Sequence, residues 1–418
     1  MTPTRAVVWA RGLRPGTLDV VYGEAGTADR ASRRTLGVTA EGDLVGKLVL
    51  DGLAPGTRYT LRVSQGDAHA DATFATAPPD DAASRVTLLW SGDLGGGGYC
   101  RQQDGGYRIF RPMRERRADF FLFVGDIIYA DVPCGQPGVV PGAEHRARTL
   151  PEYRARHRYQ HEDPPLQTLL RSTPVYAIWD DHEVRNDFAG PHEPLMPAGR
   201  QALLDYWPIA PPADEPTRLY RRFRWGRLLE VFILDTRQYR SANSDRDGPR
   251  KTMLGAEQKR WLLDAVTSSS AVWKLVVTSV SLSIPTGRPE ARDSWTNAGP
   301  FGLPQEGTGF ARERDAILDH FRRHNVKNLM FVTADVHHAE VIRHQPAPEW
   351  GFYELVAGPL SATMGRPRPL DFMLNARSIF ARGGVFNFGE VVIEPAHLTV
   401  RLIDDAGAVM FTHTLTPQ

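Results

Sequence analysis

The sequence predicts an α/β domain preceded by a small all-β domain. Residues 1–78 contain short strand-like segments separated by turn signals, whereas the remainder alternates apolar runs with amphipathic stretches. Four of the apolar runs end in carboxylates, a pattern that bears on function. A chain of 418 residues is longer than a typical single domain and fits two or three.

Composition and charge give no sign of several classes of function. The net charge is +1 and no long block of Lys and Arg occurs, so neither a nucleic-acid nor a membrane-surface signature is present. No apolar run reaches the length of a transmembrane helix. The first residues lack the apolar core of a signal peptide, so we expect any export signal to have been removed or never to have existed. Cys100 and Cys134 allow one disulfide at most, and two free thiols remain an equal alternative.

The all-β domain is indicated most clearly by residues 53–63. A Pro-Gly turn leads into a strand with Tyr59, Leu61 and Val63 on one face, which is typical of the tyrosine corner of immunoglobulin-like and fibronectin type III sandwiches. An ordinary β-hairpin is the alternative. The segment Ala77–Asp81 is the predicted linker, which sets the domains at 1–78 and 84–418.

The second domain is predicted to alternate strands and helices. The expected strands cover residues 86–90, 120–124, 174–179, 228–234, 273–280 and 328–333, and the tail from Gly351 is rich in strands. The expected helices cover residues 107–117, two segments between 151 and 170, 202–207, 257–266 and 310–324, the last closed by Asn325. Glycine- and proline-rich loops at 132–144 and 284–309 are expected to shape a pocket.

Six side chains at or just after the strand ends are candidate metal ligands: Asp93, Asp126, Tyr129, Asp181, Asp335 and His337. Their donor atoms suit Fe, Mn, Zn, Mg or Ca. Carboxylates that converge repel each other unless a cation lies between them. Asp335 and His337 would share a face if they continued the strand. A single Asp after a strand is more often a turn residue, and Asp181 also fits a helix N-terminus, but the four motifs together are more specific.

These motifs resemble those of a known family. Gly92-Asp93-Leu94-Gly95, Gly125-Asp126-Ile127-Ile128-Tyr129, Asp180-Asp181-His182-Glu183 and Asp335-Val336-His337 look like the ordered motifs of calcineurin-like metallophosphoesterases. Asp235–Arg240 and Phe386–Gly389 narrow the resemblance to PhoD-type alkaline phosphatases. The resemblance implies a four-layer catalytic domain, two central sheets flanked by helices, behind an immunoglobulin-like domain.

The resemblance also implies roles for the candidate ligands. Asp126 would bridge two ions, with Asp93, Tyr129 and His337 completing a ferric iron site. Asp181 and Asp335 would hold the second ion, calcium by resemblance or else Mn, Zn or Mg. Asn186 and Asp187 would be supports or extra ligands.

The chain departs from the family pattern at several of these positions. Gly95 stands where a histidine is frequent, Asp93 where some members have cysteine, and Asp181 where an asparagine is usual. Cys100 is a competing candidate for the cysteine role, and the Val-x-x-His ligand has no match near residues 277–280.

The expected reaction is hydrolysis of phosphate mono- or diesters by a metal-bound hydroxide. His182 would protonate the leaving group, and Arg237 would either grip phosphate or form a structural salt bridge. The rivals are a phospholipase D-like or nuclease-like phosphodiesterase on the same scaffold, and a non-catalytic surface-binding protein with a vestigial metal site. The expected partner is a small-molecule phosphate ester, the expected state a monomer or weak oligomer, and the location implied by the resemblance extracytoplasmic.

Overall fold

The computed structural model describes residues 1–26 and 31–418, and the fold is an all-β part followed by an α/β part. The first part contains β1 (Arg5–Arg11), β2 (Gly16–Glu24), β3 (Ser32–Val38), β4 (Val45–Asp51), β5 (Arg58–Gln65) and β6 (Ala68–Ala75). β1 pairs with β4, and the other four form a sheet in the order β3-β2-β5-β6. Every pairing among these strands is antiparallel.

Tyr59 confirms the predicted tyrosine corner. Its hydroxyl accepts a hydrogen bond from the Ala54 amide at 2.8 Å, and its ring stacks on Phe74 at 5.3 Å between centroids. Tyr59 and Leu61 are buried while Arg58 and Thr60 are exposed, which is the alternation of a strand with one solvated face. The last strand of this part ends at Ala75 and the next strand begins at Val86, and the domain bounds at 78 and 84 stay a prediction.

The α/β part contains six helices and fifteen strands within the described residues. The helices are α1 (Phe110–Glu115), α2 (Leu150–His161), α3 (Pro164–Leu170), α4 (Met196–Tyr206), α5 (Gly255–Thr267) and α6 (Ala311–Arg323). The strands are β7 (Val86–Ser91), β8 (Phe120–Val124), β9 (Val175–Ile178), β10 (Arg221–Trp225), β11 (Leu229–Ile233), β12 (Trp273–Val277), β13 (Gly287–Arg288), β14 (Ala291–Arg292), β15 (Leu329–Thr333), β16 (Ala339–Ala347), β17 (Trp350–Val356), β18 (Arg377–Arg382), β19 (Asn387–Ile393), β20 (Leu398–Asp404) and β21 (Val409–Leu415).

Two large sheets pack face to face between helices. One has the strand order β21-β20-β19-β7-β8-β9 and the other β10-β11-β12-β15-β17-β16-β18. On β12, Leu275 and Val277 join the core between the sheets, whereas Val276 packs toward α5 and α6. The period-2 alternation of a strand therefore divides the apolar side chains between two cores, and the predicted four-layer arrangement is confirmed.

Most predicted elements are present, with shifted ends. β8 matches its predicted range, and Asn325 ends the last helix with a φ of 51°. α4 begins six residues before the predicted start and α1 is shorter than predicted. Strand β10 was not predicted, because its three arginines read as a basic surface cluster. This strand lies at the edge of its sheet, where charged side chains are common. No helix within residues 1–26 and 31–418 is long and apolar enough to cross a membrane.

The sheet topology places the candidate ligands together. β7, β8 and β9 are parallel neighbours in one sheet, and β15 lies among parallel strands of the other. Parallel neighbours present their carboxyl ends at the same edge, where open α/β folds bind ligands. The loops that follow these four strands therefore meet at one end of the two-sheet core.

Candidate metal centre

The four strand ends converge on a cavity of about 280 Å³. Asp93, Asp126 and Asp181 follow β7, β8 and β9, and Asp335 follows β15. Asp126, Asp181 and Asp335 line the cavity, and Asp93 is buried, its Oδ1 accepting from the Asp335 amide at 3.2 Å. The sequence therefore identified side chains that the fold brings together, and their roles as ligands remain a proposal.

Several candidate ligands have an unusual backbone. Asp93, Asp126, Asp335 and His337 have φ values of 63°, 50°, 61° and 59°, in the left-handed region that L-residues other than Asn, Asp and Gly seldom adopt. For His337, which is not one of these tolerant residue types, such a conformation costs about 1–2 kcal/mol and persists where the surroundings enforce it. Gly358 shows how close the packing is, since a Cβ there would lie 2.3 Å from Asp93 Oδ2. Left-handed turns at several candidate ligands are typical of a functional site.

One set of donor atoms surrounds the end of β7. Asp93, Asp126 and His337 each offer an atom within 4.8 Å of the other two. The Tyr129 hydroxyl lies 2.9 Å from His337 Nε2 and so adds an oxygen to this group. His337 Nδ1 is hydrogen-bonded to the carbonyl of Thr363, which can only accept, so Nδ1 carries the proton and the Nε2 lone pair faces the group. This arrangement fixes the tautomer that a metal ligand requires.

A second set of donor atoms shares Asp126 with the first. Asp126, Asp181 and His182 have ligand atoms within 4.8 Å of one another, and so do Asp181, Asp187 and Asp293. Asp335 lines the same cavity but lies in none of the groups found among the described residues. The position of Asp335 therefore supports a role at the second site less directly than the position of Asp181 does.

Burial and like charge make these carboxylates costly without a cation. Burial, and then the charge of Asp180, raises the pKa of Asp93 and of Asp335 well above the usual range. Burial and the charge of Asp181 do the same to the pKa of Asp126. For Asp181, burial alone would raise the pKa, but His182 and Arg237 outweigh it and lower that pKa. Burial and then Asp126 also raise the pKa of the Tyr129 phenol.

The residues fit a cation site by a test independent of pKa. Asp93 Oδ2 and Asp335 Oδ2 are fully buried and have no hydrogen-bond partner among the described residues. A buried carboxylate oxygen without a partner costs several kcal/mol, so native structures almost always pair it. The donor set of carboxylates, phenol and imidazole matches hard and borderline metal ions. The cluster therefore fits bound cations better than a purely hydrogen-bonded network.

His182 is held over the cavity by two contacts. Its Nδ1 lies 2.6 Å from Asp131 Oδ1, and its ring stacks on Tyr129 at 4.1 Å between centroids. Burial alone would lower the pKa of His182, but the Asp181 charge and the Asp131 hydrogen bond outweigh it and raise that pKa to about 9. A protonated imidazole facing the cavity is able to donate a proton.

Arg237 does not fit the predicted role of a phosphate grip. Its side chain has no exposed surface, and its Nε donates to Asp180 Oδ1 at 2.6 Å. Nη1 and Nη2 each donate to Asp293 at 2.7 Å, which forms a bidentate ion pair. The buried salt bridge, left open as the alternative from sequence, is the arrangement observed. Arg237 thus fixes the loop after β9, because Asp180 adjoins Asp181.

Other expectations about the loops are settled by contacts. Thr286 and Gly287 of the loop 284–309 line the cavity, as predicted, whereas the loop 132–144 contributes no lining residue. Cys100 and Cys134 form a disulfide, so Cys100 is no ligand candidate.

Asp335 and His337 were expected to continue a strand, but they do not. Residues 335–338 form a bend, and the left-handed turns at both residues bring their side chains to the site.

Sequence reasoning missed three residues around the site. Asp131 accepts from the His182 ring and, through Oδ2, from the Asn186 amide at 2.9 Å. Asp293 pairs with Arg237, and Arg368 lines the cavity. Asp131 lies only five residues beyond Asp126, which is the one signal that the sequence offered. Asp293 follows the two-residue strand β14, which the sequence analysis did not predict, and Arg368 lies in a loop without a motif before it.

Comparison with known proteins identifies the family. A sequence model of the PhoD-like phosphatases matches residues 92–390, which is most of the chain and includes every candidate ligand. The chain belongs to the PhoD-like phosphatase family. A curated relative, alkaline phosphatase D of Bacillus subtilis (strain 168), is 27% identical over 322 residues, 69% of this chain and 52% of the relative. The chain therefore spans about half the length of that PhoD-like relative.

Solved structures support the same fold. A structure of PhoD superposes with a TM-score of 0.78 at 20% identity, covering 99% of this chain and 87% of that one. A purple acid phosphatase, PPD1 from yellow lupin (Lupinus luteus) seeds, superposes with a TM-score of 0.68 at 15% identity, covering 99% and 72%. At these identities the likeness establishes the fold of this PhoD-like chain, and its chemistry has to be argued from the site.

Proposed function

We propose that this chain hydrolyses phosphate esters at a centre of two cations that share the Asp126 carboxylate. The observation that carries the proposal is that Asp126 has a ligand atom within 4.8 Å of those of Asp93 and His337 and also one within 4.8 Å of that of Asp181. The orphaned buried oxygens of Asp93 and Asp335 support it. When bound, two cations would neutralise phosphate oxygens and activate a water molecule.

The first cation would be held by Asp93, Asp126, Tyr129 and His337, and the second by Asp126, Asp181 and Asp335. A phenol oxygen in the first set favours ferric iron there, and the all-oxygen character of the second favours calcium. Asp187, whose amide donates to Asp181 Oδ2 at 2.6 Å, would support the second site.

The protein's own residues would bind and orient the ester. Arg368 lines the cavity, its guanidinium donates to the Pro285 carbonyl at 3.0 Å, and it forms no ion pair with a described residue. Its remaining donors are available for phosphate oxygens, which assigns to Arg368 the role first predicted for Arg237. His182 would hold its proton, steadied by Asp131, for the departing oxygen.

Location in an oxidising compartment is part of the proposal. The Cys100–Cys134 disulfide closes the region that contains Asp126 and Tyr129. Disulfides persist mainly in secreted and periplasmic proteins, which supports an extracytoplasmic site of action.

The proposal is tested by elemental analysis of the purified protein together with an activity panel. The panel contains an aryl phosphate, its bis-ester, a phospholipid and DNA, so that phosphomonoesterase and phosphodiesterase activities are separated. Asp126→Asn should lose metal from both sites and lower kcat/KM at least a thousandfold. Asp235→Asn is the matched control, because Asp235 also follows a strand, yet it accepts hydrogen bonds from Trp179 Nε1 at 2.9 Å and from Gln238. Full metal content and turnover in Asp126→Asn, or an active site empty of metal in the wild type, would refute the centre.

The identity of the first metal is tested separately with Tyr129→Phe. Phenolate bound to ferric iron absorbs visible light, so the wild type should be coloured and the variant should lose the band. If colour and activity both survive the substitution, Tyr129 is not a ligand.

A further inference from the structure

Four exposed apolar side chains lie on two turns that contact each other, and we name this patch the apolar rim. They are Phe301, Leu303, Phe372 and Met373, with 76%, 55%, 59% and 60% of their surface exposed. The other large apolar side chains exposed to a similar degree within the described residues are Leu13, Tyr99 and Val409, which lie apart in the sequence. Exposed apolar side chains are ordinary when scattered, but a concentration of four marks an interaction surface.

The apolar rim is built from two turns that are fixed against each other. A Cβ added to Gly302 would lie 2.0 Å from the Leu370 carbonyl oxygen and 3.6 Å from Phe372 Cδ1, so the backbone of one turn touches the other. Phe301 has a φ of 64°, a strained conformation for an aromatic residue that points into solvent. The Phe301 ring is therefore exposed from a backbone conformation that is unfavourable for an aromatic residue.

A buried ion pair lies beneath the apolar rim. Asp371 is 2% exposed, and its Oδ2 accepts from Arg314 Nη1 at 2.8 Å and from Thr296 Oγ1 at 2.6 Å. Its Oδ1 accepts from the Met373 amide at 2.9 Å, and its own amide donates to the Ser283 carbonyl at 3.0 Å. These contacts join the turn that contains Phe372 and Met373 to the core. The apolar tips are consequently held out on a rigid base.

The charges around the apolar rim are mostly positive. In the sequence, Arg366 precedes Phe372 and Met373 and Arg377 follows them, and both arginines are exposed. Asp371 is the one acid between residues 364 and 377, and it is buried. On the other turn, exposed Arg288 accompanies Glu290, and Glu306 is paired with Arg246.

We propose that the apolar rim docks the protein on an anionic phospholipid surface. Aromatic and aliphatic tips enter the interface between head groups and acyl chains, while arginines are attracted to anionic lipid. Arg368, which lines the cavity, lies four residues before Phe372 in the sequence. The inference concerns binding and holds whether or not the proposed hydrolysis is correct.

The test is flotation of the purified full chain with vesicles of phosphatidylglycerol and phosphatidylcholine, compared with vesicles of phosphatidylcholine alone. The wild type should bind the anionic vesicles more strongly, and added salt should weaken the binding. The double substitution Phe301→Asn and Phe372→Ser should lower the partition coefficient at least tenfold; Asn suits the left-handed backbone at position 301. Arg366→Gln with Arg377→Gln should lower it about fivefold per arginine and flatten the salt dependence.

Leu13→Ser is the matched control, since Leu13 is 73% exposed but lies in the N-terminal part. It should bind vesicles like the wild type. Equal binding by the rim variants and this control, or no preference for anionic vesicles, overturns the proposal. A wild-type dimer that becomes a monomer in the rim variant, without vesicle binding, also overturns it and makes the patch a subunit interface. The arginine variant changes only exposed positions, so it provides a result even if the apolar variant folds poorly.

Discussion

Two arginines near the centre differ in what surrounds them. Arg237 is enclosed by Asp180 and Asp293, whereas Arg368 is exposed at the cavity wall. The same guanidinium group therefore stabilises the fold in one place and is available to a ligand in the other. Surroundings, rather than residue type or motif, separate the two roles.

Substituting each arginine should separate stability from substrate binding. Arg237→Gln leaves Asp293 buried without its bidentate partner, so the free energy of unfolding should fall by about 3–5 kcal/mol. Arg368→Gln should leave that energy unchanged and lower kcat/KM for an aryl phosphate about 10- to 100-fold, as expected for a lost charged hydrogen bond. Denaturant unfolding and steady-state kinetics measure the two effects. Arg343→Gln, at an exposed position on β16, is the control, and a loss of stability in Arg368→Gln would contradict the assignment.

Asp131 should matter most when the leaving group needs a proton. Asp131→Ala removes the carboxylate at 2.6 Å from His182 Nδ1, so the imidazole loses its orientation and its charge partner. We expect kcat for an alkyl phosphate to fall about 10- to 100-fold and kcat for p-nitrophenyl phosphate to fall much less, because nitrophenolate leaves without protonation. Asp104→Ala, at a surface position, serves as the control. An equal loss with both substrates would instead assign Asp131 and His182 to metal binding or folding.

The site residues that sequence predicted share a local cause. Asp93, Asp126 and Asp181 each follow an apolar strand, and the edge at which parallel strands end is known once the strands are known. Asp293 and Arg368 depend instead on how loops distant in sequence pack, and no local pattern records such packing. The places of Asp293 and Arg368 near the site are therefore visible only in the three-dimensional structure.

At the scale of elements, turns rather than strands set the geometry of the centre. Asp335 and His337 were expected on one face of a strand, but β15 ends at Thr333 and both residues adopt left-handed turns. Strand periodicity predicts which face a residue occupies only while the strand lasts. The sequence still groups Asp335 with His337 despite an incorrect local conformation, because either geometry brings alternate side chains together, and their role as ligands stays a prediction.

The disulfide should stabilise the loop region that contains Asp126 and Tyr129. The two cysteines are 34 residues apart, and closing a loop of this length in the unfolded chain contributes about 3–4 kcal/mol in the chain-entropy model. Substituting both cysteines with serine should lower the free energy of unfolding by this order and make the loops after β7 and β8 more sensitive to proteolysis. Treatment of the wild type with a reductant should produce the same change, and the reductant should not affect the double variant. Unchanged stability after confirmed loss of the bond would contradict the prediction.

At the scale of the whole molecule, the N-terminal strands are packed on α2 and α4 of the second part. Asp43 accepts from Arg158 Nη1 at 3.0 Å, and Lys47 Nζ donates to the carbonyls of Leu204 at 2.7 Å and Ile209 at 2.6 Å. The Trp9 ring stacks on His161 at 4.5 Å between centroids. The sequence predicted both parts but not this contact, since each partner alone reads as an ordinary surface residue.

This contact should make the stability of the molecule depend on pH. Burial lowers the pKa of His161 from 6.5 to about 4, and burial followed by the charge of His161 lowers the pKa of His157 well below its usual value. Between pH 6.5 and 4 the unfolded chain therefore binds more protons than the folded one. The stabilisation is complete above about pH 6.5 and is lost as the pH falls toward 4, at up to about 1.4 kcal/mol per pH unit for each histidine.

The variant His161→Phe isolates this effect, because it keeps an aromatic ring against Trp9 and removes the titrating group. The unfolding midpoints of chelator-treated wild type and variant are measured from pH 7 to pH 4. On acidification, the midpoint of the variant should fall less than that of the wild type. His69→Phe is the control, since its side chain is 50% exposed on β6 and should leave the wild-type slope unchanged. Parallel pH profiles for wild type and His161→Phe would mean that acid destabilises the protein through other groups, and that the interface between the two parts does not sense pH.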